Sequence, residues 1–201
     1  MGTKELRKRK SWQDISGPKA EQAENKFLDE FESEFKNTQF KIRDKPREFK
    51  GIYNDVKLTD DVLNEIYSPE EDYGPHGIRP DYAIDNLETK KTLYVEVKRQ
   101  DGWVENKEPK AGRGNAHERS CKFFTPGLLK ILREKGKLGD DVLPFWVVFQ
   151  GDITRDPKRV REITCWYDGN DAHFFFWRDI KNKKPLIEHF TNNLSPLLSR
   201  K

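Results

Sequence analysis

The sequence predicts an α/β domain with a mixed central β-sheet flanked by helices. Three observations lead there. Residues 142–150, Val-Leu-Pro-Phe-Trp-Val-Val-Phe-Gln, form a nearly continuous apolar run of the kind found in a central strand covered on both faces. Two shorter alternating runs, around Asp81 and around Glu96, are joined by polar, turn-forming residues 86–91 and read as a hairpin. Ala20, Ala23, Phe27, Phe31 and Phe35 recur at helical spacing with acids between them, which predicts an amphipathic helix packed on the sheet.

Taken in order, residues 1–15 carry the basic run Arg7 to Lys10 and read as a mobile basic arm or a frayed terminus. The helix through Phe35 follows. Its acids read as a solvated face, although Glu24, Glu30 or Glu34 could approach a metal from it. Thr59-Asp60-Asp61 marks the start of a short helix through Tyr67. Residues 68–77, with two prolines and two glycines, form the loop into the first hairpin strand. Residues 100–115 form a second long polar loop, joining the hairpin to the segment after it, and a loop of that length is often functional. Residues 116–124 start a helix, Pro126-Gly127 interrupt it, and residues 128–133 continue it. Residues 156–166 read as a basic helix, residues 173–177 as another buried strand, and residues 185–198 as a terminal helix.

At 201 residues the chain is predicted to be a single domain. Apolar residues make up 34% and charged residues 36%, so the core must draw on the plentiful aromatics. The net charge of +3 is too small to announce a polyanion partner. Its distribution is more telling. Residues 90–137 hold 13 Lys and Arg against 6 Asp and Glu, a local surplus that would make DNA binding salt-sensitive. The two cysteines, Cys121 and Cys165, match neither a zinc spacing nor a disulfide framework and are expected to be reduced. The four histidines lack metal-ligand spacing. No signal peptide, lipidation motif or membrane span is read, so the expectation is a cytoplasmic protein with no membrane partner.

The hairpin carries the chemistry. Side chains alternate along a strand, so Glu96 and Lys98 share a face while Val95 and Val97 point to a core. If Asp85 pairs with Thr92, the same antiparallel register sets Asp81 opposite Glu96 on that face, with Cβ atoms about 5 Å apart. Two carboxylates without Cys or His ligands suit Mg²⁺. Asp81 and Glu96 are therefore the candidate metal ligands. Lys98 completes the catalytic set, placed to orient or deprotonate water and to offset transition-state charge on a phosphodiester.

Downstream lies Gly112-Arg113-Gly114-Asn115-Ala116-His117-Glu118-Arg119-Ser120. Asn fits adenine N6/N7 and Arg fits guanine O6/N7, each discriminating by roughly 1–3 kcal/mol. The glycines allow close backbone approach to a groove. Arg113 and Arg119 also suit phosphate clamping, and Asn115 suits a helix N-cap.

Pro80-Asp81, fourteen residues, then Glu96-Val97-Lys98 resembles the PD-(D/E)XK nuclease superfamily. The more specific Gly114-Asn115-Ala116-His117-Glu118-Arg119-Ser120 resembles the recognition segment of EcoRI-related, MunI-like type II restriction endonucleases. That resemblance implies a restriction-endonuclease-like core and a homodimer on palindromic double-stranded DNA. It also implies Mg²⁺-dependent cutting and a cognate DNA methyltransferase in the same cell. It places Asn115 and Arg119 on the inner adenines of a central AATT, and Glu118 against the recognition arginine of the other subunit. The chain departs from the EcoRI pattern at Arg113, where that pattern has a small residue, and at His117, where it has Ile. Arg113 thus becomes the natural reader of a different outer base pair, with CAATTG the expected site and a 5′ overhang the expected product. Gly114, Ala116 and His117 complete the DNA-binding segment. The rivals are a structure-specific nuclease on the same core, such as a junction resolvase or repair enzyme, and a DNA-binding regulator with a dead catalytic centre.

Overall fold

A computed structural model of the chain describes residues 4–68, 74–102 and 117–200, with the backbone alone for 4–16. Helix α1 spans Lys4–Glu34 and leads into strand β1, Phe40–Asp44. A short helix α2, Asp60–Glu65, precedes the hairpin of β2, Tyr82–Asn86, and β3, Thr92–Arg99. A 3₁₀ helix, Glu118–Phe124, runs into α3, Pro126–Gly136. Then come β4, Phe145–Gln150, α4, Pro157–Trp166, and β5, Phe174–Trp177. The chain closes with α5, Lys184–His189, a π-helical turn, Phe190–Leu194, and α6, Ser195–Ser199.

The five strands lie in the order β1-β2-β3-β4-β5. Strand β2 runs antiparallel to its neighbours β1 and β3, β4 adds parallel to β3, and β5 parallel to β4. This is the mixed, helix-flanked sheet that the sequence predicts. One face buries Ala23, Phe27, Phe31 and Phe35 of α1 against Val95, Val97, Trp146 and the C-terminal helices. The other buries Leu128, Leu132, Ile163 and Tyr167 against Tyr94, Phe145, Val147 and Phe149. All six residues of β4 are buried, as its unbroken apolar run requires.

Several elements differ in detail from expectation. Strand β1 was not anticipated. Its sequence, Phe-Lys-Ile-Arg-Asp, buries only Ile42 and looks polar, because it is an edge strand. Strand β5 forms the opposite edge and buries only Trp177, so residues 173–177 are a half-buried strand rather than a fully covered one. Pro126 begins a helix instead of interrupting one. Thr125 is extended, as a residue before proline prefers, and Pro126 takes the first turn, where no amide donor is needed. The expected terminal helix is divided by the π-helical turn just before Pro196, whose missing N–H disturbs the helical ladder. Asp156 caps α4 by accepting from the amides of Lys158, at 3.0 Å, and Arg159, at 3.3 Å.

Candidate active site

The hairpin register is the one expected. Asp85 pairs with Thr92 and Tyr82 with Val95, so one further step sets Asp81 opposite Glu96. The Asp81 amide donates to Glu96 Oε2 at 3.3 Å, and the Val97 amide donates to Asp81 Oδ2 at 2.8 Å. Lys98 Nζ lies 2.7 Å from Glu96 Oε1 and 3.4 Å from Asp81 Oδ2. The three side chains thus converge at one point, with Glu96 only 5% exposed. Val95 and Val97 point into the opposite core, as alternation demands.

Charge is finely set here. Burial pushes the Glu96 carboxyl above its ordinary pKa and Asp81 adds to the rise, while Lys98 opposes it. Burial pushes Lys98 down, but Glu96 and Asp81 outweigh it and hold the ammonium above its usual value. Lys98 therefore stands as an ammonium held against the Glu96 and Asp81 carboxyl groups.

Glu24 on α1 corrects one expectation. Its carboxyl is pushed up to about 7 by burial, then by Asp81 and Glu96, with Lys98 and Lys45 opposing. It belongs to the field of the Asp81, Glu96 and Lys98 cluster, not to a solvated face. The signal was in the sequence: Glu24 follows buried Ala23 and precedes buried Phe27 by three, so it borders the apolar stripe. Glu30 instead pairs with Lys26 at 2.5 Å and Lys183 at 3.2 Å, and Glu34 is exposed.

Two carboxylate-bearing strands with a lysine between them fit a hard divalent cation, because the oxygens that now surround the ammonium are the donors such an ion takes. Among the described residues no group of three or more His, Cys, Asp or Glu is placed to hold a metal ion, so the protein would offer an ion the Asp81 and Glu96 pair alone. An open site of this kind leaves positions for water and a phosphate.

The described end of the downstream segment, His117 to Ser120, packs beside the end of β3. Arg113, Gly114, Asn115 and Ala116 lie outside the described residues. His117 is fully buried. Its ring stacks on Trp166 at 5.5 Å between centroids, Nδ1 lies 2.9 Å from Gln100 Oε1, and Nε2 lies 3.5 Å from Glu162. Burial and Arg159 lower its pKa, against Glu162 and Glu118. Gln100 stands two residues beyond Lys98, so His117 is tied to the end of β3. Glu118 and Arg119 are exposed beside it, while Ser120 is buried and donates to the His117 carbonyl at 2.7 Å. Lys122, which sequence reasoning passed over, lies close enough to lower the Glu96 pKa. Cys121 and Cys165 are free thiols. No helix among the described residues is long and apolar enough to cross a membrane.

A mixed sheet whose antiparallel hairpin brings Asp81, Glu96 and Lys98 to one point suits a nuclease core, and here it is that of a site-specific endonuclease of the type II restriction class. Residues 1–199 match the family model described as type II restriction enzyme MunI, and the chain belongs to that family. It is 51% identical over 201 residues to the type II restriction enzyme MunI of Mycoplasma sp, covering 98% of this chain and all of that one. It also superposes on the crystal structure of MunI restriction endonuclease in complex with cognate DNA. The TM-score is 0.75 at 53% identity, over 82% of this chain and 85% of that one. Membership sets aside the junction-resolvase and inactive-regulator readings. Enzymes of this class depend in general on a divalent metal cation.

Proposed function

We propose that the enzyme cuts both strands of CAATTG as a homodimer, with Mg²⁺, leaving 5′ overhangs. The convergence of Asp81, Glu96 and Lys98 on one point of the hairpin carries this reading. Asp81 and Glu96 would hold the cation. When bound, such an ion supplies Lewis acidity toward a phosphate and its attacking water. Lys98 directs its ammonium at the same point, orienting water and offsetting charge as the phosphorus becomes five-coordinate. The buried walls around Glu96 exclude bulk water, which strengthens each of these interactions.

Asn115 and Arg119 contact the inner adenines, Arg113 reads the outer base pair, and Gly114 and Ala116 let the backbone approach the groove. Glu118 pairs with the recognition arginine of the other subunit. His117 serves from behind, as the peg that fixes Arg119 relative to the end of the strand that carries Lys98. A twofold dimer on a palindrome places one catalytic cluster on each strand. The reading sets the enzyme in a prokaryotic cytoplasm beside a methyltransferase that protects the same site.

The test is to incubate purified protein with Mg²⁺ and a plasmid carrying one CAATTG, then sequence the ends. A single linear product with AATT overhangs is expected. Cuts at another sequence would overturn the specificity, and no cutting with retained binding would overturn the catalytic reading.

A further inference from the structure

We infer a second DNA-binding element, a cationic cleft that grips the phosphodiester backbone beside the cut; the inference rests on the nuclease reading above. The cleft, of about 410 Å³, is lined by Arg47 and Lys50 on one wall and Arg79 on the other, over Ile78. No acidic side chain lines it among the described residues. All three cations are exposed, and their side chains make no ion pair or hydrogen bond among the described residues. The neighbouring Arg43 is different: Asp85, at 2.5 Å, and Glu48, at 2.9 Å, consume its charge. One arginine of this region holds the fold together, and three cations remain for something else.

The cleft is built rather than incidental. Its two walls are clasped by a hydrogen bond from Asn54 Nδ2 to the Gly74 carbonyl at 2.9 Å. The His76 amide donates to Asn54 Oδ1 at 2.7 Å, and the Tyr53 amide to the His76 carbonyl at 3.1 Å. Gly77 permits the close approach, since a Cβ there would stand 2.0 Å from the Phe49 carbonyl oxygen. Both walls are also tied to Asp81. One wall reaches it through Arg79-Pro80-Asp81, at most about 7 Å of chain. The other is fixed by the Lys45 amide, which donates to the Asp81 carbonyl at 2.8 Å. An anion in the cleft is thereby held in register with the catalytic carboxylate. A polymer with one charge per about 3.4 Å along each strand can occupy both places at once. A duplex backbone is therefore the occupant that the geometry favours.

Phosphate contacts position DNA without reading its sequence, so their signature is salt dependence. The experiment measures affinity for labelled duplex in EDTA from 50 to 200 mM salt, for the wild type and for Arg47→Gln/Lys50→Gln/Arg79→Gln. Each lost contact should flatten the log–log slope by about 0.9, so the triple change makes the wild-type advantage shrink about forty-fold across that range. The ratio between cognate and one-base-changed duplexes should stay constant. The charge-keeping Arg47→Lys/Arg79→Lys should retain the wild-type slope, and it also guards against misfolding of the neutral variant. An unchanged slope in a folded, neutral variant overturns the proposal, as does an altered cognate ratio, which would make these residues base readers. Competition by inorganic phosphate below about 1 mM, lost in the neutral variant, would make the cleft a small-anion site and also overturn it. If the wild type cuts no DNA, the nuclease reading fails; if it cuts normally while the slopes coincide, only the cleft fails.

Discussion

Replacing Lys98 by alanine separates binding from cutting. The ammonium sits between Glu96 Oε1, at 2.7 Å, and Asp81 Oδ2, at 3.4 Å, so its charge is already neutralised within the protein. Its removal should cost little affinity for DNA and leave the salt slope unchanged. The chemical step should suffer much more. Positioned acid–base and electrostatic groups contribute typically 10²–10⁴-fold, or about 2.7–5.4 kcal/mol of barrier. The variant should fold, because Glu96 escapes the cost of an unpaired buried charge by taking up a proton. Its pKa is already raised by burial and loses its strongest opposing influence. Residual cutting should consequently climb with pH as Glu96 ionises. Single-turnover cleavage of a short CAATTG duplex, enzyme in excess, measures the step directly. Cutting within about threefold of wild type would refute the role of Lys98. So would an affinity loss as large as the rate loss, which would make Lys98 a DNA contact.

Three further outcomes are expected. The folded-state pKa of Glu24, about 7, lies above its unfolded value, so its stabilising contribution is complete below about pH 4.5 and lost as pH rises through 7. Without divalent cations, Glu24→Gln should therefore gain on the wild type from pH 4.5 to 8. Discounted for solvent screening, the gain is about 1 kcal/mol, or about 2–4 °C in Tm, and a pH-independent difference would contradict it. His117→Phe keeps the stack on Trp166 but leaves buried Gln100 unpaired, at about 1–3 kcal/mol. Adding Gln100→Leu should restore stability but not the preference for cognate over one-base-changed DNA, which should fall roughly tenfold, equivalent to about 1.4 kcal/mol; recovery of both would reduce His117 to a packing residue. Arg113→Ala should relax the outer base pair at about 1–3 kcal/mol, whereas unchanged selectivity on a panel of NAATTN duplexes would assign Arg113 to a phosphate.

The catalytic hairpin was legible because its logic is local. Alternation fixes which residues share a face, and a short polar turn fixes the register, so Asp81, Glu96 and Lys98 could be brought together from sequence alone. The helical stripe through Phe27 and the apolar run of β4 were readable for the same reason. What escaped depends on partners distant in sequence. Strand β1 is recognisable only when Arg43 is seen paired with Asp85, and Lys41 opposite it, across the edge of the sheet. His117 stands within a segment that reads as DNA-facing, yet Trp166 and Glu162 of α4, over forty residues away, enclose it. Glu24 was misjudged because a helix periodicity locates the edge of a stripe without saying what the edge faces.

The claim on which the chemistry depends is that Asp81 and Glu96 share one divalent cation beside a DNA phosphate. Diffraction from the protein bound to a CAATTG duplex with Mn²⁺ in place of Mg²⁺ would locate the ion by its anomalous signal. A peak touching both carboxylates and the scissile phosphate is predicted, and it should vanish in Asp81→Asn. Ordered DNA with manganese elsewhere, or with the two carboxylates turned away from the phosphate, would contradict the account.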